Sequence, residues 1–330
     1  MEREMLKYIV CPACKGMFNL IEVNTFGDFD ILSGTLQCVN CKKRFQIRDG
    51  IPVLRVKEQG AIGMNYEEHA QNFEKVWEKF GSIESQEELD ERKVNPPLTK
   101  NSTKMQISNL YKYCSSEKSR ILDIGCGLGF DLKRIGERLK GCALFGIDVS
   151  EIAVKQAMRN GTPAFLSVAF SENLPYPENF FDLILSHEVL EHVVDPSSCL
   201  AEMERVLKEN GRIAISTPNG RGLFIAFIER AKLGLKRLLG RNTEKQYKDS
   251  PLDVQEMNKI CSIHGLQIAK VVYTCPFYFL GNLITEHTPL SISQFITDVI
   301  IKYSDRLAKI PLINALICDE MSIIVEKANN

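Results

Sequence analysis

The stretch that decides the fold is ILDIGCGLGF, residues 121–130, in which an apolar run leads through a turn with three glycines into a helix. Glycine has no Cβ, so such a turn lets a ligand approach the backbone closely. A dinucleotide-binding loop reads G-x-G-x-x-G, and its last glycine would fall at Phe130, so the NAD pattern is not met. The pattern that remains is D-x-G-x-G-x-G, formed by Asp123, Gly125, Gly127 and Gly129. An acidic residue beside the turn favours a cationic ligand without phosphate groups.

Outward from this turn, short apolar runs alternate with amphipathic stretches. The predicted strands are 120–124, 143–147, 164–168, 181–185, 212–216, 266–273 and 322–326. The predicted helices are 131–139, 150–161 with Ser150 as N-cap, 197–208 and 253–264. This alternation predicts an α/β fold: a Rossmann-like, seven-stranded, mostly parallel sheet with helices on both faces. Asp148 ends the second strand, at the edge of the sheet where a carboxylate can accept two hydrogen bonds from ribose hydroxyls.

Further motifs follow in a fixed order: LPY at 174–176, FDLILS at 181–186, HEVLEH at 187–192, LKENGR at 207–212 and ISTPN at 215–219. With these motifs, residues 119–275 resemble the class I S-adenosylmethionine-dependent methyltransferases, close to the branch of the ubiquinone-pathway O-methyltransferases. The resemblance implies S-adenosylmethionine as cofactor. It also implies that the three glycines face the methionine and ribose portions, that Asp123 orients the methionine part and that Asp148 holds the ribose.

One position departs from the family pattern. Many relatives carry an aspartate four residues before the Leu-Pro pair, where it contacts the adenine amino group, and here that position is Phe170. Either Phe170 packs on the adenine while backbone groups read its edge, or donor binding is weakened. A non-catalytic binding module that keeps the methyltransferase fold therefore remains an alternative.

The acceptor is expected beside the HEVLEH segment, where His187, Glu188, Glu191 and His192 are the candidate catalytic residues. On a helix, Glu188, Glu191 and His192 would share one face. The ubiquinone-pathway enzymes use this E-x-x-E-H arrangement to hold a divalent cation such as magnesium beside the acceptor hydroxyl, which would lower its pKa. The other interpretation is that these side chains cap and solvate a helix start. His187 is the candidate general base.

The first 41 residues contain two C-x-x-C pairs, separated by 23 residues: Cys11, Cys14, Cys38 and Cys41. Two such turns can complete a tetrahedral thiolate site, and a segment of about 55 residues cannot bury a large core without a staple. The sequence therefore predicts a structural zinc ion with no open coordination position. Together with DGIPVL at 49–54, the segment 1–55 resembles the zinc-ribbon activator subunit of tRNA and protein methyltransferases.

We expect three parts in the chain of 330 residues: a zinc ribbon at 1–55, a linker and helical lid at 56–118 with a helix at Tyr66–Phe80, and a methyltransferase domain at 119–330. The formal net charge is −1, so no overall field attracts nucleic acid or membrane. The charged N-terminal residues do not form a secretory signal, and no stretch has the length of a transmembrane segment. We therefore expect a cytoplasmic protein, in which the seven scattered cysteines are thiols.

A basic amphipathic insertion is predicted at 221–248, with eight Lys or Arg residues against two Glu. Such a helix can lie on the inner face of a membrane, cover a hydrophobic acceptor, or pack on its own domain. The main hypothesis is methylation, at oxygen, of a small-molecule or lipid-linked acceptor. The alternative enzyme hypothesis is an RNA methyltransferase that grips rRNA or tRNA through the zinc ribbon, since basic residues 42–44 adjoin the second cysteine pair.

Overall fold

The structure is a computed structural model, and it describes residues 1–25, 31–56, 66–80, 118–220, 252–276 and 318–328. The predicted basic insertion at 221–248 lies outside these residues. No helix within the described ranges has the length and apolar character needed to cross a membrane.

The methyltransferase part is a seven-stranded sheet with helices packed on it. Its strands are β5 (Arg120–Ile124), β6 (Ala143–Asp148), β7 (Phe165–Val168), β8 (Phe181–His187), β9 (Leu207–Pro218), β10 (Leu266–Pro276) and β11 (Cys318–Lys327). The order is β7-β6-β5-β8-β9-β11-β10, and the strands from β7 to β9 are parallel, whereas β11 is antiparallel to both of its neighbours. All seven predicted strands are confirmed.

The helices between these strands are α2 (Phe130–Arg138), α3 (Glu151–Arg159), α4 (Pro196–Val206) and α5 (Val254–Ile263). Their first residues follow from local capping. The Ser150 hydroxyl accepts a hydrogen bond from the Ala153 N–H, as the sequence predicted for the start of α3. Asp195 caps α4 in the same way, and Pro196 occupies the first helical position, where the missing N–H costs nothing.

The zinc-ribbon part contributes four more strands: β1 (Phe18–Thr25), β2 (Ser33–Cys38), β3 (Arg44–Arg48) and β4 (Ile51–Val53). Strand β4 lies parallel to β7, where Val53 pairs with Val168 and the Leu54 N–H donates to the Val168 carbonyl at 2.7 Å. The predicted seven-stranded sheet is therefore confirmed for the methyltransferase part, but the ribbon strands extend it, and the two parts form one continuous sheet of eleven strands. The strands are joined through backbone hydrogen bonds at an edge of the methyltransferase sheet.

The two parts also share a hydrophobic core. Tyr8 of the ribbon packs its ring against Phe145, Phe165 and Phe180 of the methyltransferase part, with ring centroids 5.3–6.0 Å apart. Met5, in a short 3₁₀ helix at Arg3–Lys7, is buried in the same cluster. Aromatic pairs at this separation are stabilising beyond the area that they bury. The ribbon is therefore packed onto the methyltransferase part as well as hydrogen-bonded to it.

Helix α1 (Tyr66–Phe80) is the described part of the predicted helical lid, and its bounds agree with the prediction. It packs near the C-terminal ends of β6 and β8, which is the edge where ligands bind in open α/β sheets.

Candidate methyl-donor site

The glycine turn stands at the C-terminal end of β5. Gly125, Gly127 and Gly129 have φ values of +71°, +50° and +76°, a region that favours glycine. A Cβ at Gly125 would collide with the Val189 side chain, and one at Gly129 would collide with Thr162. Backbone conformation and close packing thus both require glycine at Gly125 and Gly129.

Asp148 ties this turn to the neighbouring strand β6. Its Oδ2 accepts a hydrogen bond from the Gly127 N–H at 2.9 Å, and its Oδ1 accepts one from the Ser150 N–H at 2.8 Å. A carboxylate has about four lone-pair directions, so each oxygen can accept a further hydrogen bond. Burial raises the pKa of Asp148 to about 6, despite the two backbone donors, which act in the opposite direction. The two remaining acceptor positions fit the two hydroxyls of a ribose, which would donate to them.

Asp123 is buried at the end of β5, with 4% of its surface exposed. Its burial, together with the nearby carboxylates of Asp131 and Asp148, raises its pKa well above the ordinary value, while His187 has the opposite effect. Three carboxyl groups around one turn favour a ligand that carries positive charge, since such a ligand would restore their ionised forms. This matches the cationic ligand inferred from the sequence.

Phe170 lies on the far side of Asp148 from the glycine turn and is almost fully buried. It clusters with Val149, Val194 and two residues of α1, Tyr66 and Ala70. The rings of Phe170 and Tyr66 are 5.0 Å apart and tilted by 59°. The position at which many relatives carry an aspartate is therefore part of an apolar wall to which helix α1 contributes.

His187 is the last residue of β8, and Glu188, Glu191 and His192 lie in turns between β8 and α4, so the expectation that these three share a helix face is wrong. Glu188 has φ +53°, which no helix allows. The physical reason is that helix α4 begins only at Pro196, while the backbone N–H groups of Val194 and Asp195 donate to the buried carboxylate of Glu172.

The structure places His187 apart from the other three, whereas Glu191 is hydrogen-bonded to Glu188 and its Oε1 lies 4.0 Å from His192 Nε2. His187 Nδ1 lies 3.4 Å from Asp131 Oδ2, on the side of the glycine turn. Glu191 accepts a hydrogen bond from the Thr217 hydroxyl at 3.0 Å, and the ring of His192 packs edge-on against Phe73 of α1. Within the described ranges, the four cysteines are the only group of three or more side chains placed to hold a metal ion. The magnesium site inferred from E-x-x-E-H therefore has no support in the structure.

The four cysteines of the ribbon meet as predicted. Their sulfur atoms all lie within 4.8 Å of one another, with Cys11 and Cys41 3.6 Å apart and Cys14 and Cys38 3.4 Å apart. Tetrahedral zinc with Zn–S bonds of about 2.3 Å requires sulfur separations of about 3.8 Å. The geometry fits a thiolate zinc site whose four positions are all taken by protein.

The contacts between the zinc ribbon and the Leu-Pro motif were not predicted from the sequence. The Lys15 ammonium, next to Cys14, donates to Glu202 of α4 at 2.8 Å and to the Leu174 carbonyl at 3.3 Å. The Val10 N–H donates to the Pro175 carbonyl at 2.9 Å. The Leu-Pro motif was visible in the sequence, but its carbonyl partners come from a distant segment and leave no local signal.

The fold and site together define the class I S-adenosylmethionine-dependent methyltransferase fold, joined to a zinc ribbon. Residues 115–271 match the family model described as a methyltransferase domain, and residues 2–50 match that of Trm112p-like proteins. Residues 115–271 are thus similar to methyltransferase domains and residues 2–50 to Trm112p-like proteins, and both resemblances stated from the sequence are confirmed.

Two curated relatives show how far the similarity extends. The ubiquinone biosynthesis O-methyltransferase of Rhizobium rhizogenes is 30% identical over 166 residues, which cover 49% of this chain and 64% of that protein. The mitochondrial arginine-hydroxylase NDUFAF5 of Rattus norvegicus is 37% identical over 90 residues, which cover 27% of this chain and 26% of that protein. The chain thus spans less than two thirds of either relative.

Among solved structures, the magnesium protoporphyrin IX methyltransferase of Synechocystis with bound SAH superimposes with a TM-score of 0.51. The match has 12% identity and covers 80% of this chain and 98% of that one. At this identity the likeness concerns the fold alone.

Proposed function

We propose that this chain is an S-adenosylmethionine-dependent methyltransferase that acts, at oxygen, on a small-molecule or lipid-linked acceptor. The observation that carries the proposal is the buried Asp148 carboxylate, which has acceptor capacity for two hydroxyls and is fixed to a glycine turn. The similarity to a ubiquinone biosynthesis O-methyltransferase supports oxygen as the acceptor atom. An arginine-hydroxylase is also similar to this chain over 90 residues, so the donor site, and not the fold alone, supports methyl transfer.

S-adenosylmethionine, when bound, supplies an activated methyl group, so the residues of the chain have mainly to bind, align and exclude water. Asp148 would hold the ribose, and the glycine turn would let the donor approach the backbone. Asp123, deep in the site, would face the positive charge of the methionine part. The apolar wall at Phe170 would pack on the adenine.

We assign proton removal from the acceptor to His187. A hydrogen bond from Nδ1–H to Asp131 places the basic lone pair of the ring on Nε2, in the manner of an oriented general base. His187 ends β8, at the same edge of the sheet as Asp148 and the glycine turn. Glu188, Glu191 and His192 would shape the acceptor pocket, and the proposal requires no magnesium.

We also propose that the four cysteines bind zinc and that the ion is structural. The ribbon part is small, and two of the four cysteines are buried in the core that it shares with the methyltransferase part. With all four positions taken by sulfur, the ion has no place for a substrate. Its role would be to hold the first cysteine turn against the Leu-Pro motif.

The test of the proposed reaction is transfer of a labelled methyl group from S-adenosylmethionine into a cell extract, which is then fractionated. We expect the label in the lipid or small-molecule pool, in an ether or ester that reports an oxygen acceptor. Label in the RNA pool would overturn the acceptor class in favour of the RNA alternative. If no pool were labelled although the donor binds, the chain would be a binding module.

Donor binding is expected to depend on pH through Asp148. Since its pKa is raised to about 6, the free protein loses the ionised form as the pH falls through that value. Ribose hydroxyls favour the carboxylate form, so binding of S-adenosylhomocysteine should strengthen from pH 5 to pH 7 and release protons near pH 6. Calorimetry in buffers of different ionisation enthalpy measures this release. Proton uptake, or affinity that is flat across this range, would contradict the assignment.

The same shift has the opposite effect on folding. A carboxyl group whose pKa is raised in the folded state binds more protons there than in the unfolded chain. The contribution of Asp148 to stability therefore falls as the pH rises from about 4 to about 6. Ligand binding and this contribution to stability should thus change in opposite directions over this window.

A further inference from the structure

Helix α1 contacts three parts of the proposed donor site. Trp77 lies 3.3 Å from the place that a Cβ on Gly127 would occupy, so its indole covers the glycine turn. Tyr66, at the other end of the helix, packs against Phe170. Between these contacts, Glu74 reaches the start of α3. Helix α1 thus contacts the glycine turn, the segment that follows Asp148, and the apolar wall at Phe170.

The Glu74 carboxylate accepts three hydrogen bonds at the N-terminal end of α3. The Ser150 hydroxyl donates to Oε2 at 2.7 Å, and the backbone N–H groups of Glu151 and Ile152 donate to the two oxygens at 2.8 and 3.1 Å. A negative charge at this end of a helix is favoured by the helix dipole. The Ser150 N–H in turn donates to Asp148, so Ser150 connects Glu74 to the carboxylate that is assigned to the ribose.

Arg55 of the ribbon also contacts Glu74 and the loop that follows Asp148. Just beyond β4, its guanidinium donates to the Val149 carbonyl at 3.1 Å and lies 3.8 Å from Glu74 Oε1. The Arg55 and Glu74 side chains are 15% and 20% exposed, so the pair is partly shielded from water and less screened than a surface pair. The end of the ribbon, the loop that follows Asp148, and helix α1 are therefore joined through one carboxylate.

We propose that Glu74 is a positioning residue for the methyl donor. It holds α1 over the glycine turn and fixes the loop that follows Asp148, and release of the donor requires its hydrogen bonds to break. This inference rests on the proposed function, because it concerns how tightly the same donor is retained.

The test compares Glu74→Gln with Glu78→Gln, an exposed glutamate one turn further along α1 that undergoes the same change of charge. Trp77 is the only tryptophan of the chain, so its fluorescence reports on α1 directly. In Glu74→Gln we expect the Kd for S-adenosylhomocysteine, from equilibrium dialysis, to rise about tenfold, mostly through faster release in a fluorescence chase. Glu78→Gln should stay within about twofold of the wild type.

A Kd and release rate in Glu74→Gln that match those of Glu78→Gln would overturn the role of Glu74. If Glu74→Gln does not fold, hydrogen exchange in the wild-type protein decides. Amides of 66–80 should become more protected on saturation with S-adenosylhomocysteine, and unchanged protection would refute the inference. A wild-type protein that does not bind this ligand overturns the proposed function too, whereas wild-type binding with an unaffected Glu74→Gln overturns the inference alone.

Discussion

Replacing Asp148 by asparagine is expected to weaken binding of S-adenosylhomocysteine by about 100-fold or more, since hydrogen bonds to a charged group contribute roughly 1.5–3 kcal/mol each. The carboxylate accepts from two backbone N–H groups and is assigned two ribose hydroxyls in addition. The asparagine amide nitrogen cannot accept, and it would face one of those N–H donors. The loss should therefore include both a ligand contact and a tie between β6 and the glycine turn.

The matched control is Asp49→Asn. Asp49 is exposed, forms an ion pair with Lys155 and lies in the ribbon, away from the glycine turn. Equilibrium dialysis should show that Asp49→Asn binds S-adenosylhomocysteine with the affinity of the wild type. The pH dependence of binding that is attributed to Asp148 should disappear in Asp148→Asn and remain in Asp49→Asn. Equal affinities in the two variants would show that the ribose is held elsewhere.

Replacing Cys38 by serine is expected to abolish stoichiometric zinc binding and to lower the midpoint of thermal unfolding by about 10 °C or more. A structural thiolate site contributes on the order of 10 kcal/mol to folding, and each kcal/mol shifts the unfolding midpoint by roughly 2–4 °C in proteins of about 150–250 residues, and by somewhat less in a longer chain. Cys38 is fully buried, and the ribbon shares its core and its sheet with the methyltransferase part. Loss of the metal should therefore also lower donor affinity, through the contacts at Leu174 and Pro175.

Cys142→Ser provides the comparison for this variant. Cys142 is a cysteine of intermediate burial that does not belong to the four-cysteine cluster. We expect Cys142→Ser to have nearly the same zinc content, by elemental analysis, and nearly the same unfolding midpoint, by scanning calorimetry, as the wild type. Retention of one zinc per chain in Cys38→Ser, or equal midpoints for the two variants, would contradict a structural zinc site at these cysteines.

Local pattern predicted most of the fold, because strand and helix periodicity and capping act within a few residues. Ser150 as the N-cap of α3 and the bounds of α1 are examples. The strand predicted at 212–216 is longer in the structure, since β9 begins at Leu207, opposite Phe181. The parallel pairing of Val53 with Val168 could not be predicted, because it uses backbone groups that every residue has.

The donor site was predictable wherever a residue is chosen for its own backbone or charge, as at the three glycines and Asp148. The conformation of the E-x-x-E-H segment on the acceptor side could not be predicted in this way. A helix was inferred for E-x-x-E-H from spacing alone, although the Asp195-Pro196 pair marks the true helix start. Glu74 and Arg55 act through contacts with segments that are distant along the chain, so neither stands out in the sequence.

The central claim is that the glycine turn and Asp148 form a binding site for a sulfonium nucleoside. Equilibrium dialysis of the wild-type protein against labelled S-adenosylmethionine tests this most directly, because it requires neither an acceptor nor a heat signal. We predict saturable binding at one site per chain, with competition by unlabelled S-adenosylhomocysteine. The claim would be contradicted if the folded, zinc-loaded protein retained no more label than a control protein without this fold.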